Sequence, residues 1–305
     1  MIPKMPAPDL VGDGSRCREG SCAGYRCHVL IVRSVVYNIL FYLNLVLLLL
    51  IAIPTMVMPY RGIIAVAKLW GRTNLWLLRV VCGTRVEIRG LEKITSGALL
   101  VAAKHQSTWE TFTLVTLFDD PVFIIKRELQ WLPFFGWYTI KARQIPVNRG
   151  ARAQALIAMV ERARIELSRG RQIIIFPEGT RRPAGAEPRY KYGITHLYAE
   201  TDTPCLPIAL NSGLYWPRRS ILRYPGTIRV EILDPIAPGL DKQTFSEVLR
   251  DSIETATARL IAQGERELAD AGIELKRRGG SHARPSAARR EDAMHSPDSR
   301  APRAP

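Results

Sequence analysis

Carboxylates are in short supply in this chain of 305 residues. There are 28 Asp and Glu against 43 Lys and Arg, which leaves a net charge of +15. Such a surface selects anionic partners: nucleic acid, lipid headgroups, or phosphorylated and CoA-like ligands. Cysteine is sparse too, and five is an odd number, which argues against a disulfide-stapled secreted scaffold. No internal repeat is present, and there is no Gly-x-Ser-x-Gly elbow of the serine esterase type. Helix-turn-helix and RNA-binding signatures are missing as well, so nucleic acid is not an expected partner. From residue 276 onward large apolar side chains almost vanish. Residues 276–305 cannot bury enough surface to offset ordering entropy and are expected to be disordered. They hold eight cations against three carboxylates, a third of the net charge.

Apolar residues are plentiful, at 47 %, but unevenly placed. Residues 34–60 contain no Asp, Glu, Lys, Arg or His. A helix of more than about 18 such residues is long enough to cross a bilayer. A signal peptide would have a shorter apolar region and a small-x-small cleavage site, and Pro54-Thr55-Met56-Val57-Met58 is not one. Cations lie on both sides of the run, so the asymmetry that sets orientation is weak. Residues 62–81 mix Trp70, Trp76 and aliphatic residues with Lys68, Arg72 and Arg79. That mixture suits a helix at headgroup level. A core-packed helix with solvated arginines is the alternative.

The pattern then changes. Residues 85–89 alternate with period two, and 98–102, 122–125 and 172–176 are short apolar runs of the kind buried strands show. Residues 228–232 alternate again, while 108–117, 150–168 and 245–268 have helical periodicity. Strands separated by helices of this length predict an α/β fold, a mixed sheet flanked by helices. The expected organisation is a basic N-terminal segment over 1–33, membrane-associated helices over 34–82, an α/β domain over 83–275, and the tail over 276–305.

Chemistry-bearing residues cluster where strands end, which is where open α/β sheets gather ligands. His105 follows one strand, and an imidazole takes up and returns protons near neutrality. A carboxylate on its other ring nitrogen would fix the tautomer, and Glu110 is the candidate. Five residues apart on one continuous helix the two would diverge by about 140°. They meet only if His105 lies on the loop before the helix. Ser107 with Glu110 also reads as a capping box. Phe176-Pro177-Glu178-Gly179-Thr180-Arg181-Arg182 ends a second strand in a turn with cations directly after it. Glycine lets backbone approach a ligand, and Arg offers a bidentate fork to phosphate. Lys126 and Arg149 follow two more apolar runs, and Lys191 lies close behind the turn. Together these cations form a site for an anion of about two charges, such as a phosphomonoester.

His105-x4-Glu110, Asn148-Arg149, Phe176-Pro177-Glu178-Gly179-Thr180-Arg181 and Leu206-Pro207-Ile208, in that order, resemble the four blocks of the glycerolipid acyltransferase family of the PlsC type. The likeness covers roughly residues 60–240. It implies an acyltransferase fold with a membrane-facing N-terminal helix pair. It also implies transfer of a fatty acyl group from acyl-CoA or acyl carrier protein to the 2-hydroxyl of lysophosphatidic acid, giving phosphatidic acid, with no cofactor. Related acceptors are glycerol 3-phosphate and other lysolipids. His105 would be the general base and Glu110 its orienting partner. Arg149, Glu178, Gly179 and Arg181 would bind the phosphorylated acceptor, and the block around Pro207 would serve the acyl donor; the residues themselves add Lys126 and Thr180 to the expected acceptor site. The implied location is the bacterial inner membrane, with the catalytic domain in the cytoplasm. The chain departs from the usual pattern in having Glu110 for Asp, Lys104 for Asn before the His, and Asn148 before Arg149.

Some residues stand apart from these blocks. Cys17-x4-Cys22-x4-Cys27-His28 has thiolate and imidazole ligands but not the spacing of a zinc site, so no metal is expected. Cys82 and Cys205 read as small core residues. Trp131, Phe134, Phe135 and Trp137 are expected in the core or against lipid.

Overall fold

The computed structural model describes residues 19–148 and 152–273, with side chains from 28–148 and 153–273. Arg149, Cys17 and the tail over 276–305 lie outside the described residues, and Cys22 and Cys27 are described in backbone alone. Two helices, α1 (Glu19–Ile51) and α2 (Arg61–Leu77), precede the sheet. The chain continues through β1 (Thr84–Arg89), β2 (Leu99–Ala103), α3 (Trp109–Leu117), β3 (Pro121–Lys126), α4 (Phe135–Lys141) and β4 (Ile145–Val147). Then come α5 (Arg152–Leu167), β5 (Gln172–Ile175), α6 (Gly193–Thr201), β6 (Cys205–Leu210), α7 (Ser212–Tyr215), β7 (Gly226–Ile232) and α8 (Lys242–Asp270).

The strands form one seven-stranded sheet in the order β1-β7-β6-β2-β5-β3-β4. All neighbours are parallel except β6 and β7. Strands β2 to β6 therefore share one direction, and their carboxyl ends lie along one side of the sheet. The central strands β2, β5 and β6 are buried at every position. A parallel sheet covered on both faces demands that, and it explains why these strands are apolar runs without alternation. Side chains still divide by period two. Leu99, Val101 and Ala103 join one core with Ile174, Leu206 and Ile208, and Leu100 and Ala102 join the other with Ile173 and Ile175. Burying each large aliphatic side chain is worth about 1.5–3 kcal/mol.

The N-terminal helices are docked on the first of these cores. Tyr37 and Phe41 of α1 are buried against Trp216, with centroids 5.5 and 5.7 Å apart. Asn38 Nδ2 donates to Ile221 O at 2.7 Å, and Arg223 N donates to Ser34 Oγ at 2.9 Å. The outer face of α1 stays bare, with Val46, Leu47 and Leu50 more than half exposed. The stretch His28–Ile51 is long and apolar enough, by length and composition, to cross a membrane. Helix α2 lies on α3 at Gly71, where a Cβ would overlap Phe112 O. Ile63, Ile64 and Asn74 of α2 are buried, while Leu69 and Trp76 face outward, so core packing and surface exposure divide the helix lengthwise. Trp131, Phe134 and Trp137 are exposed, not in the core. Cys82 and Cys205 are buried, and burial pushes the Cys82 thiol up to about 11.

Candidate active site

Every one of the five co-directional strands ends at one site. His105 lies two residues beyond β2, on the loop before α3, and Glu110 lies in the first turn of that helix. This offset, not a shared helix face, brings His105 Nδ1 to 2.9 Å from Glu110 Oε1. The same oxygen accepts the backbone N–H groups of Gln106 (2.6 Å) and Ser107 (2.7 Å). Oxygen Oε2 accepts the hydroxyls of Ser107 and Ser212, each at 2.9 Å. Capping and pairing with the histidine thus occur in one carboxylate at once. Glu110 is fully buried. Burial alone would push its carboxyl upward, but the hydrogen bond and charge of His105, with the Ser107 amide, hold it below the ordinary carboxylate range.

The ring of His105 is stacked on Phe176, and Nε2 has no hydrogen-bond partner among the described residues. The ring opens onto a cavity of about 1570 Å³. Its wall includes Thr108, Lys126, Asn148, Gly179, Thr180, Arg181 and Lys191. Most of the lining is apolar and comes in part from α1, α2 and α4, with Leu45, Leu49, Ile63 and Tyr138.

The turn after β5 is held from beneath. Glu178 is buried, and its carboxylate accepts Lys104 Nζ at 3.0 Å and the His105 amide at 3.3 Å. Lys104 in turn is gripped by Glu254 of α8, at 2.7 Å. Burial pushes the Glu178 carboxyl up, against the pull of Lys104. Gly179 has φ +63°, a left-handed conformation that costs other residues strain. Arg181 Nη1 donates to the Thr108 hydroxyl, which sets it beside the loop that carries His105, and Arg182 N donates to His105 O at 2.8 Å. Lys126 is half exposed and paired with Glu128 at 3.1 Å.

Of the residues named from sequence, the structure thus gathers His105, Glu110, Lys126, Glu178, Gly179, Thr180 and Arg181 around one cavity. Arg149 lies outside the described residues. Phe176, Lys104, Ser212 and Glu254 were not singled out as site residues. Phe176 had a signal, since it ends a buried strand beside the turn. Ser212 and Glu254 had none, because each meets the site from more than 100 residues away.

A buried carboxylate on a histidine, a turn followed by cations and a large, mostly apolar cavity meet at the carboxyl ends of the co-directional strands. A family model described as Acyltransferase matches residues 85–211. The 1-acyl-sn-glycerol-3-phosphate acyltransferase of Pseudomonas aeruginosa is 41 % identical over 177 residues, covering 58 % of this chain and 69 % of that protein. The mouse 1-acyl-sn-glycerol-3-phosphate acyltransferase alpha is 28 % identical over 251 residues, covering 80 % of this chain and 87 % of that one. The crystal structure of PlsC, the 1-acyl-sn-glycerophosphate acyltransferase of Thermotoga maritima, is similar in fold, with a TM-score of 0.64. It is 20 % identical and covers 75 % of this chain and 96 % of that one. This chain belongs to the acyltransferase family.

Proposed function

We propose that the protein transfers a fatty acyl group from a thioester donor, acyl-CoA or acyl carrier protein, to the 2-hydroxyl of lysophosphatidic acid, forming phosphatidic acid. The observation that carries this reading is the His105–Glu110 pair opening onto a cavity that has cations on its wall and a large apolar lining. Lysophosphatidic acid combines the same two features, a charged head and a hydrocarbon chain. The relatives from Pseudomonas and mouse carry names that state this acceptor.

A thioester is already activated, so no acyl-enzyme is needed. His105 Nε2 takes the proton of the 2-hydroxyl as its oxygen attacks the thioester carbon, and Glu110 stabilises the imidazolium that forms. The C–O bond forms, the C–S bond breaks, and the proton passes from His105 to the departing thiolate. Arg181, Lys126 and Arg149 hold the phosphate, with Gly179 and Thr180 lending close backbone approach. Glu178 fixes the turn that presents them.

The bilayer supplies the acceptor. The half of α1 around residues 34–41 is packed on the α/β domain, so the bare face beyond it, with exposed Trp76, Trp131 and Trp137, is what enters lipid. We take residues 34–82 as the membrane-facing helices and 83–275 as the catalytic domain. We place the protein at the inner membrane of a bacterium, with the catalytic domain in the cytoplasm, where thioester donors are made.

The test is an assay of purified protein with lysophosphatidic acid, glycerol 3-phosphate and other lysolipids, each with both donors. Phosphatidic acid should form from lysophosphatidic acid, and His105→Ala should lower turnover at least a hundredfold while the protein stays folded. Preference for glycerol 3-phosphate, or near-normal turnover in that variant, would refute the reading.

A further inference from the structure

The two oxygens of Glu110 are treated differently. Oε1 faces His105 Nδ1 and two backbone amides. Oε2 is held by hydroxyls alone, those of Ser107 and Ser212. Ser107 has a second duty, because its Oγ also accepts the Trp109 amide at 2.9 Å. The Ser212 hydroxyl makes no other hydrogen bond among the described residues. Both Ser212 and Glu110 are fully buried, so no water replaces the bond if it is lost.

Ser212 is itself held in place from both sides. The preceding residue, Asn211, accepts Arg229 N at 2.8 Å and donates to Leu260 O at 3.0 Å. The following residue, Gly213, donates its amide to Gln106 Oε1 at 2.9 Å. The segment after β6 is therefore tied to β7 and α8 on one side and to the histidine loop on the other. The terminal torsion of a glutamate is broad, so Oε2 with Ser107 as its single donor is held less firmly than with two. Glu110 reaches its histidine on a longer arm than an aspartate would, which makes a second anchor matter more.

We propose that Ser212 is a positioning residue for the acid–base pair: its hydroxyl anchors Oε2 of Glu110, so that Oε1 stays turned to His105 Nδ1. This rests on the reaction proposed above and adds to it a residue just beyond the segment matched by the family model, which ends at 211. Ser212 acts on electrostatics as well as on geometry. Each donor to the carboxylate draws off some of its negative charge. Removing one leaves more negative charge on the carboxylate that faces the imidazolium. His105 is the one titratable side chain facing Glu110 among the described residues. Around His105 itself, Glu178 reaches the backbone amide and the Arg182 amide reaches the carbonyl.

The experiment compares wild type, Ser212→Ala and Ser212→Cys, with His105→Ala as reference. Steady-state kinetics over a range of pH are paired with NMR titration of the His105 ring, identified by its loss in His105→Ala. Ser212→Ala should lower kcat roughly tenfold and leave KM for lysophosphatidic acid unchanged. The acid limb of kcat/KM should move to higher pH. Ser212→Cys, a weaker donor of similar size, should fall between. A pH profile and His105 titration matching wild type would overturn the proposal, even if melting temperature and activity fell together, since that is what a purely structural role gives. Should wild type transfer no acyl group, the proposed reaction fails on its own, and the NMR titration still decides whether Ser212 acts on the pair.

Discussion

The ring of His105 lies on the ring of Phe176, with centroids 4.0 Å apart and planes at 14°. Glu110 fixes one edge of the imidazole and Phe176 one face, and the edge bearing Nε2 has no hydrogen-bond partner among the described residues. Phe176→Leu keeps apolar bulk but removes the flat platform. We expect kcat to fall several-fold, roughly the worth of one aromatic contact, with KM for the acceptor unchanged. A rise in KM alone, in steady-state kinetics, would contradict this.

Glu110→Gln tests the charge rather than the shape. Turnover should drop at least a hundredfold, because a neutral amide neither stabilises imidazolium nor enforces one tautomer. Stability should change with pH in a defined sense. The folded-state pKa of Glu110 lies below its ordinary value of 4.5, so its contribution is present above that value and is lost as pH falls through the folded one. Melting curves collected downward from neutrality should show a steeper acid arm in wild type than in Glu110→Gln, and equal slopes would count against the assignment.

Arg181→Ala should act on binding. The guanidinium sits beside the histidine loop through Thr108, on the cavity wall. Loss of a charge-assisted contact to phosphate predicts a rise of ten- to a hundredfold in KM for lysophosphatidic acid, with kcat changed little. An unchanged KM would remove Arg181 from the phosphate site.

Lys104→Met leaves the Glu178 carboxylate buried with its main counter-charge gone. Breaking a buried pair on one side costs about 3–5 kcal/mol, so thermal melting should shift down by many degrees. Glu254→Gln should cost less, since Glu254 is 23 % exposed and Lys104 keeps Glu178. If the two variants melt alike, the ordering of these contacts is wrong.

Strand and helix types were largely legible because central parallel strands must be apolar throughout, and β2, β3 and β5 read that way. Strand β6 was visible only as a short block. Pro207 lacks an N–H and makes the run look like a poor strand, yet it still accepts Leu233 N at 3.0 Å. Strand β4 was too short, at three residues, to show a period. Glu178 read as a ligand group because it sits in a cationic turn. Its carboxylate is turned inward by Lys104, whose own anchor comes from α8.

From the sequence alone followed the α/β alternation, the charge-free run over 34–60, and the order of the chemistry-bearing blocks. Each of these is written in neighbouring residues, where period, composition and short spacing act. Tertiary structure decided that His105 and Glu110 meet across a loop–helix boundary, that Ser212 closes the far side of the carboxylate, and that the apolar run lies partly on the protein and partly bare. Those outcomes depend on which strands lie side by side and which way they point, and pairing between distant segments leaves no local trace in the chain.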